Sequence, residues 1–178
     1  MSILRILDYP DPRLKNQAKS VMNVSDVEVQ TMIQNMLETL KNTEHCGGLA
    51  ATQLDIKEPL QIFVYYDYEN DNPENARPRV AVNPEIISTE GEVVEPEGCM
   101  SVYPDYIHAS VKRPQQTTMR ALDENGEIFE LTRGGYLAKL FVHEVDHLQG
   151  QLYIDRLKPM KRSLLDKKIQ KLRKKLKK

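Results

Sequence analysis

Cysteine is scarce in this sequence and long apolar segments are missing, and each deficit narrows the class of protein. The two cysteines, Cys46 and Cys99, are too few for a disulfide framework, so in a reducing compartment each is a core residue, a nucleophile or a metal ligand. No apolar run approaches the roughly 18 to 20 residues that a membrane span needs. The first ten residues also lack the apolar stretch and cleavage site of a secretory signal. We therefore expect a cytoplasmic protein with no membrane partner.

The near-neutral net charge of −1 hides an uneven distribution along the chain. Residues 158–178 contain eleven Lys or Arg and one acid, Asp166, whereas the preceding 157 residues carry a formal charge of −11. Such a basic segment is either a solvated helix face or a binding site for a polyanion such as ribosomal RNA. The length of 178 residues fits one domain. We expect residues 1–157 to form its body and residues 158–178 to add a basic C-terminal helix to that domain.

Hydrophobic periodicity predicts three helices. Ser25 and Glu28 have capping-box spacing, and the apolar residues up to Leu40 then predict a helix that ends near the glycine pair at 47–48. A second helix should begin after the glycine pair at 134–135 and end at Gly150. The third should present one apolar stripe, made of Leu165, Ile169, Leu172 and Leu176.

Strands are predicted over residues 60–66, 80–87, 117–122 and 128–131, with a tight hairpin turn at Asn125-Gly126 and a polar loop over residues 70–79. The order of elements is helix, several strands, helix, helix. This order favours an α+β fold with mainly antiparallel sheets packed around the second helix, followed by a C-terminal helix.

The second helix contains a His-Glu-x-x-His pattern at residues 143–147. Four residues are about one helical turn, so His143 and His147 leave the same face and can share a metal ion. Glu144 lies beside the first histidine, where a carboxylate can serve hydrolysis as a base without ligating the metal. A five-residue pattern also occurs by chance. The apolar residues around it indicate a buried helix, however, and buried imidazoles and carboxylates need partners such as a metal.

Cys99 is the candidate for the third protein ligand that a catalytic metal site requires. A lone cysteine is more often a small core residue. Its neighbour Gly98 permits an unusual backbone angle or a close approach, which suits a loop that presents a ligand. His45 and His108 have no helical partner, and we do not expect them to be ligands.

A third segment, residues 46–53, reads Cys-Gly-Gly-Leu-Ala-Ala-Thr-Gln. It lacks the Lys-Ser or Lys-Thr of a phosphate-binding loop. One interpretation is a helix C-cap that leads into a strand. The other is a lip of small residues that lets a substrate backbone approach, with the Gln53 amide as a polar donor.

Together these three segments resemble the motifs of the peptide deformylases, in the family's order and at similar separations. The family motifs are Gly-x-Gly-Leu-Ala-Ala-x-Gln, Glu-Gly-Cys-Leu-Ser and His-Glu-x-x-His-x-x-Gly. Here they correspond to residues 46–53, to Glu-Gly-Cys-Met-Ser at 97–101 and to His-Glu-Val-Asp-His-Leu-Gln-Gly at 143–150. The opening Asp-Pro-Arg-Leu at 11–14 is also similar, so the resemblance covers about residues 3–157.

The resemblance implies a metal-dependent hydrolase that removes formate from the N-formylmethionine of nascent chains. It implies that Cys99, His143 and His147 bind one divalent ion, which is Fe²⁺ in most members and can be Zn²⁺, Ni²⁺ or Co²⁺. Glu144 would be the general base and acid. Gln53 and the backbone N–H of Met100 would donate to the formyl oxygen.

Helical spacing indicates where the methionine side chain would bind. Tyr136 and Leu140 share a helix face with the two histidines, so they should line its pocket, with Gly48 and Cys46 on the opposite lip. Leu140 has an alternative interpretation as an ordinary core residue. The C-terminal helix would be the candidate ribosome-docking element, and DNA is not an expected partner.

The chain departs from the family pattern at several positions. Cys46 replaces a glycine and could narrow the cleft or change the loop angle; Val142 replaces a glutamine. Residues 102–112 form a segment about two residues longer than usual, in which His108 stands where a peptide-binding arginine is expected. These departures concern substrate affinity rather than the chemistry.

Two other functions remain open from the sequence. A zinc endopeptidase could use the same helix, but it would usually take a third ligand from a His or Glu beyond the helix, and no His follows His147. A catalytically inactive protein that binds ribosomes or RNA through its tail is the non-enzymatic alternative. The combined presence of Gln53, Cys99 and Glu144 argues against it.

Overall fold

Seven strands form two antiparallel sheets in the computed structural model, which describes residues 2–68 and 73–176. The larger sheet has the order β1-β2-β3-β6-β7, and the smaller one pairs β4 with β5. The strands are β1 (Gly48–Ala50), β2 (Ile62–Asp67), β3 (Arg77–Glu90), β4 (Val93–Glu97), β5 (Ala109–Arg113), β6 (Gln116–Leu122) and β7 (Ile128–Gly134).

Strand β2 is buried on both faces because a helix covers each side of the larger sheet. Its residues Ile62 and Val64 pack with helix α1 (Val27–Lys41), while Phe63 and Tyr65 pack with helix α2 (Gly135–Leu148). Successive side chains of a strand point to opposite faces, so a strand between two helices is apolar at every position. This explains the continuous apolar run in the sequence.

Helix α3 (Pro159–Leu176) packs against the body of the protein. Ile169 is 1% exposed in a cluster with Leu7, Cys99 and Ile107, and Leu165 and Leu172 pack at its edge. Leu176 is 55% exposed and lies outside this cluster, so the apolar stripe is one residue shorter than predicted. The cluster ties α3 to the loop that carries Cys99.

The α+β class and the antiparallel sheets are confirmed, whereas several boundaries were wrong. Helix α1 starts after Asp26 rather than at a Ser25 capping box, and the Asp26 side chain instead accepts a hydrogen bond from Asn23 at 2.6 Å. Helix α1 ends at Lys41, before the predicted glycine pair, and Gly48 instead belongs to β1, where it pairs with Tyr65.

The predicted polar loop over residues 70–79 overlaps a strand. Strand β3 begins at Arg77 and pairs with the end of β2, while residues 70–72 lie outside the described part of the chain. The sequence interpretation missed strands β1, β4 and β5. In the residues that the structure describes, every helix is too short or too polar to cross a bilayer.

Candidate active site and metal centre

Two elements bring three candidate metal donors together. Cys99 follows strand β4, and His143 and His147 lie one turn apart on helix α2. The Nε2 atoms of the two histidines are 3.1 Å apart, and Cys99 Sγ is 3.2 Å from His147 Nε2. Among residues 2–68 and 73–176, this trio is the one group of His, Cys, Asp or Glu donors that meets the distance requirements of a metal site.

The chemistry of this donor set fits a divalent transition metal. Two imidazole nitrogens and one sulfur suit borderline-soft ions such as Fe²⁺, Zn²⁺, Ni²⁺ and Co²⁺. Burial, reinforced by the charge of His143, lowers the pKa of His147 well below its usual value, which keeps a ring nitrogen free to bind a cation. Cys99 and His143 also line an open cleft of about 690 Å³, so a fourth coordination position can face a substrate.

A chain of charged side chains contacts the His143 ring at Nδ1, on the side away from its Nε2 atom. Its Nδ1 lies 2.5 Å from Glu97 Oε1, and Arg113 donates two hydrogen bonds to the same carboxylate at 2.7 and 2.8 Å. Arg113 also donates to Asp146 at 2.7 Å, and Arg156 donates to Asp146 from the other side. A carboxylate that accepts from Nδ1 leaves Nε2 free to face the metal and fixes the ring.

The ionisation of this chain follows from its contacts. Burial raises the pKa of Glu97, but the hydrogen bonds from Arg113 and His143 outweigh it and lower that pKa to about 2. Burial lowers the pKa of His143, but its contacts with Cys99 and Glu97 outweigh that effect and raise it well above the usual value. Glu97 is therefore a permanent acceptor at neutral pH, and the His143 Nδ1–H donates to it.

Glu144 is a buried carboxylate next to the donors. It is 1% exposed, and its Oε2 has no hydrogen-bond partner among the described residues. Burial, partly opposed by the charge of His143, raises its pKa to about 7. The carboxylate lines the cleft against Gly48, where a Cβ would come within 2.9 Å of Glu144 Oε1. Glycine at this position therefore leaves room for the carboxylate.

Gln53 points its amide nitrogen at the metal-donor loop. Its Oε1 accepts from the Ala50 N–H at 2.9 Å, and its Nε2 lies 3.3 Å from Ser101 Oγ and 3.5 Å from Cys99 Sγ. Both Gln53 and Met100 line the cleft. The predicted oxyanion donors therefore border the same cavity as Cys99 and His143, two of the three predicted metal donors.

The predicted substrate residues Gly48, Leu140 and Tyr136 also line the cleft, although their exposure differs widely. Leu140 is 7% exposed and belongs to the core cluster beneath α2, as the interpretation as a core residue expects, and its contact with substrate stays a prediction. Tyr136 is 48% exposed. Leu140 and Tyr136 can therefore both contact a substrate side chain that binds in the cleft.

The prediction that Cys46 forms a lip of the pocket with Gly48 was wrong, because Cys46 is buried and does not line the cleft. The residue is 7% exposed in the cluster around α1, its Sγ lies 3.2 Å from the Gly48 carbonyl oxygen, and burial raises the pKa of its thiol to about 12. Gly98 permits a close approach, because a Cβ there would meet the His108 ring at 2.9 Å. His45 and His108 line the cleft but lie outside the donor cluster.

Comparison with known proteins decides which family has this arrangement. The family model described as polypeptide deformylase matches residues 3–163. The chain belongs to the peptide deformylase family. It is 42% identical over 171 residues to peptide deformylase 2 of Vibrio parahaemolyticus, covering 96% of each chain. It is also 42% identical to peptide deformylase 1 of Coxiella burnetii, covering 96% of this chain and 97% of that protein.

Solved deformylase structures agree with the fold. The crystal structure of a peptide deformylase from Legionella pneumophila has a TM-score of 0.84 at 37% identity, covering 99% of both chains. The Ehrlichia chaffeensis peptide deformylase in complex with actinonin has a TM-score of 0.83 at 31% identity, covering 98% of both chains. The predicted family and function are thereby confirmed: this deformylase is a metal-dependent hydrolase, and its family acts on formylated nascent peptides.

Several residues of the site had no role in the sequence interpretation. Glu97 and Asp146 lie inside the quoted motifs, and Arg113 lies outside all of them. Acids inside such motifs on buried elements are a usable signal, because a buried carboxylate needs a cationic or hydrogen-bonding partner. Glu95 and Lys139 carried no signal in the sequence, yet both line the cleft and form an ion pair.

Proposed function

We propose that Cys99, His143 and His147 bind one divalent metal ion and that Glu144 is the general base and acid that removes formate from N-formylmethionyl peptides. The observation that carries this proposal is the convergence of three buried donor atoms beside a buried carboxylate with an unpartnered oxygen. The open cleft supplies access for an extended peptide.

The ion, when bound, would act as a Lewis acid that polarises the formyl carbonyl and activates the attacking water. Glu144 takes a proton from that water, because a buried carboxylate with a pKa of about 7 can both accept and return a proton near neutral pH. It then returns the proton to the amine nitrogen as the formyl C–N bond breaks. The products are formate and a peptide with a free amino terminus.

Gln53 and Met100 are proposed to stabilise the negative charge that develops on the formyl oxygen. The hydrogen bond from Ala50 to Gln53 Oε1 supports this role, because it turns the Nε2 donor towards the cleft. The backbone N–H of Met100, next to Cys99, would be the second donor. Removal of one such donor typically costs about 10² to 10³ in rate, so Gln53→Ala should lower kcat without releasing the metal.

Metal content tests the donor assignment. Cys99→Ala, His143→Ala and His147→Ala should each lose most bound metal after anaerobic purification, together with formate release from formyl-Met-Ala. His45→Ala and His108→Ala are matched controls, because both histidines line the cleft outside the donor cluster. Full metal occupancy in all three donor variants, or equal metal loss in the control variants, would contradict the assignment.

The native ion is proposed to be Fe²⁺. The mixed nitrogen and sulfur donor set supports this choice but also suits Zn²⁺, Ni²⁺ and Co²⁺. Exposure of the iron form to oxygen should inactivate the enzyme, because both the iron and the Cys99 thiolate can be oxidised. Protein reconstituted with Ni²⁺ is the control and should keep its activity in air for longer.

Gly48, Leu140 and Tyr136 are proposed to form the pocket for the methionine side chain. A Cβ at Gly48 would come within 3.1 Å of Leu140 Cδ1, so the two residues face each other closely. An unbranched, polarisable side chain suits a narrow apolar slot. Leu140→Trp should depress turnover of formyl-Met-Ala more than that of a formyl peptide with a small first side chain, at unchanged metal occupancy. Equal losses would place Leu140 outside the pocket.

The basic helix α3 is proposed to be part of the same domain and to dock on the ribosome, which would place the enzyme in the cytoplasm where nascent chains emerge. Deletion is unsuitable as a test, because Ile169 is buried beside Cys99. Its replacement by alanine should by itself cost about 2 to 5 kcal/mol of stability. Charge reversal of exposed lysines avoids this difficulty.

Lys167→Glu, Lys171→Glu and Lys174→Glu combined should weaken ribosome binding and reduce its salt dependence. All three lysines are exposed on α3. The control replaces exposed Lys41 and Lys57, elsewhere on the body, with glutamate. Ribosome affinity that is the same in the α3 variant and in the control would contradict docking, while turnover of short peptides should stay intact in both.

A further inference from the structure

Two ion contacts join strand β4 to helix α2, and each pairs a glutamate of the strand with a basic side chain of the helix. Glu95 and Glu97 are two residues apart, so their side chains leave the same face of the strand. Lys139 and His143 are four residues apart, so theirs leave the same face of the helix. Glu97 accepts from His143, and Glu95 pairs with Lys139. The second pair therefore lies one helical turn, about 6 Å, from the first donor histidine.

Tyr136 adds a hydroxyl to the same end of the cleft. It precedes Lys139 by three residues and lines the cleft with Glu95 and Lys139. Its hydroxyl occupies the space beside Gly47, where a Cβ would come within 2.0 Å of it. The cleft wall therefore changes from apolar at Leu140 to polar one turn further from the metal donors.

We propose that Tyr136 and the Lys139–Glu95 ion pair form a polar end to the side-chain pocket, which adapts this enzyme to formyl peptides whose first side chain carries a hydrogen-bond acceptor near its end. Methionine sulfoxide is the substrate class that fits, because it keeps the length of the methionine side chain and adds one strong acceptor oxygen on the sulfur. The inference rests on the proposed deformylase site and adds a substrate to it.

Two donors are available for the sulfoxide oxygen. The Lys139 ammonium has three N–H groups and pairs with one carboxylate, and the Tyr136 hydroxyl can donate as well. The sulfur is three bonds from the Cα of the first residue, so it reaches beyond the reacting carbon towards the first turn of α2. The reaction is the same hydrolysis: the formyl C–N bond breaks, water supplies the oxygen of formate, and no oxidation step is involved.

The test compares formyl-Met(sulfoxide)-Ala with formyl-norleucine-Ala, an apolar substrate of similar length. The measured quantity is the ratio of their kcat/KM values in the metal-loaded enzyme. Tyr136→Phe and Lys139→Met should each lower this ratio by about 3- to 10-fold, the usual range for one hydrogen bond. Both residues are partly exposed, so the variants should fold and keep their metal.

Lys112→Met is the matched control. Lys112 forms an ion pair with Glu92 on the same β4–β5 hairpin, and neither residue lines the cleft. The ratio of the two kcat/KM values in the Lys112→Met variant should equal that of the wild type. A ratio that changes less than twofold in both test variants, or a wild-type ratio below about one in a hundred, would overturn this inference alone. Absence of formate release from formyl-Met-Ala as well would overturn the proposed function and this inference with it.

Discussion

The two carboxylates of β4 meet α2 in the same geometry but in different surroundings. Glu97 is 14% exposed and its partner Arg113 is 1% exposed, whereas Glu95 is 52% exposed. In a buried pair, each ion depends on the other, because removal of one leaves an uncompensated charge in a poorly polarisable interior. In a half-exposed pair, water replaces a lost partner. Burial, rather than contact geometry, therefore separates Glu97, which contacts the candidate metal donor His143, from Glu95, which pairs with Lys139 at the cleft.

The largest change in stability is expected when Arg113 is replaced. Arg113→Met should lower the free energy of unfolding by about 3 to 5 kcal/mol, because it leaves both Glu97 and Asp146 buried without this cation. Denaturant unfolding of the metal-free protein measures this loss. Arg120→Met is the control, since Arg120 forms a half-exposed ion pair with Glu130. Similar losses in both variants would show that burial does not govern these pairs.

The next largest effect is expected in acid unfolding, where the free energy of unfolding should depend on the ionisation of Glu97. Its folded-state pKa of about 2 is below the usual 4.5, so its contribution to stability is fully present above about pH 4.5 and is lost as pH falls towards 2. The difference corresponds to about 3 kcal/mol. Glu97→Gln, measured without metal, should lack this part of the pH dependence. A variant with the wild-type acid profile would contradict the assigned role of the buried carboxylate.

Metal affinity should distinguish the two glutamates. Glu97→Gln should weaken metal binding by about 10- to 100-fold, the usual effect of a group that orients a ligand histidine. Glu95→Gln should change it less than about twofold, since its partner Lys139 is not a donor. Competition with a chelator measures both constants. Equal weakening would mean that the charge of β4, and not the contact to His143, controls the metal.

The smallest effect is expected for the exposed pair. Glu95→Gln and Lys139→Met should each change the free energy of unfolding by less than about 1 kcal/mol, as surface ion pairs do. Thermal unfolding at low and high salt provides the measurement. A loss comparable to that of Arg113→Met would remove the distinction between the two contacts.

Elements with a local signal could be predicted from the sequence. Helix α2 has a regular apolar period, and β2 is an apolar run because both of its faces are covered. Strand β4 contains Pro96 and two glutamates and has little strand signal of its own. It depends on pairing with β5 and on contacts with α2, which are distant in sequence. The start of α1 was missed for a different, local reason: the Asp26 side chain accepts a hydrogen bond from Asn23 and makes no capping hydrogen bond to the helix.

The residues of the candidate site also divide into those with a local sequence signal and those without one. The donors and Glu144 lie within short motifs, so spacing and the family resemblance were enough to nominate them. The partner of Glu97 lies 16 residues away and that of Asp146 lies 33 residues away, so no local pattern specifies which charges meet. The polar end of the cleft is likewise formed by residues 44 apart in sequence.

The central claim is that Glu144 moves the proton at a site whose metal is held by other residues. The direct measurement is formate release from formyl-Met-Ala by anaerobically purified wild type and Glu144→Gln, with metal content determined on the same samples. We predict equal metal occupancy and a rate about 10² to 10⁴ lower in the variant. A Glu144→Gln enzyme that is as active as the wild type, or a fully metal-loaded wild type that releases no formate, would contradict the claim.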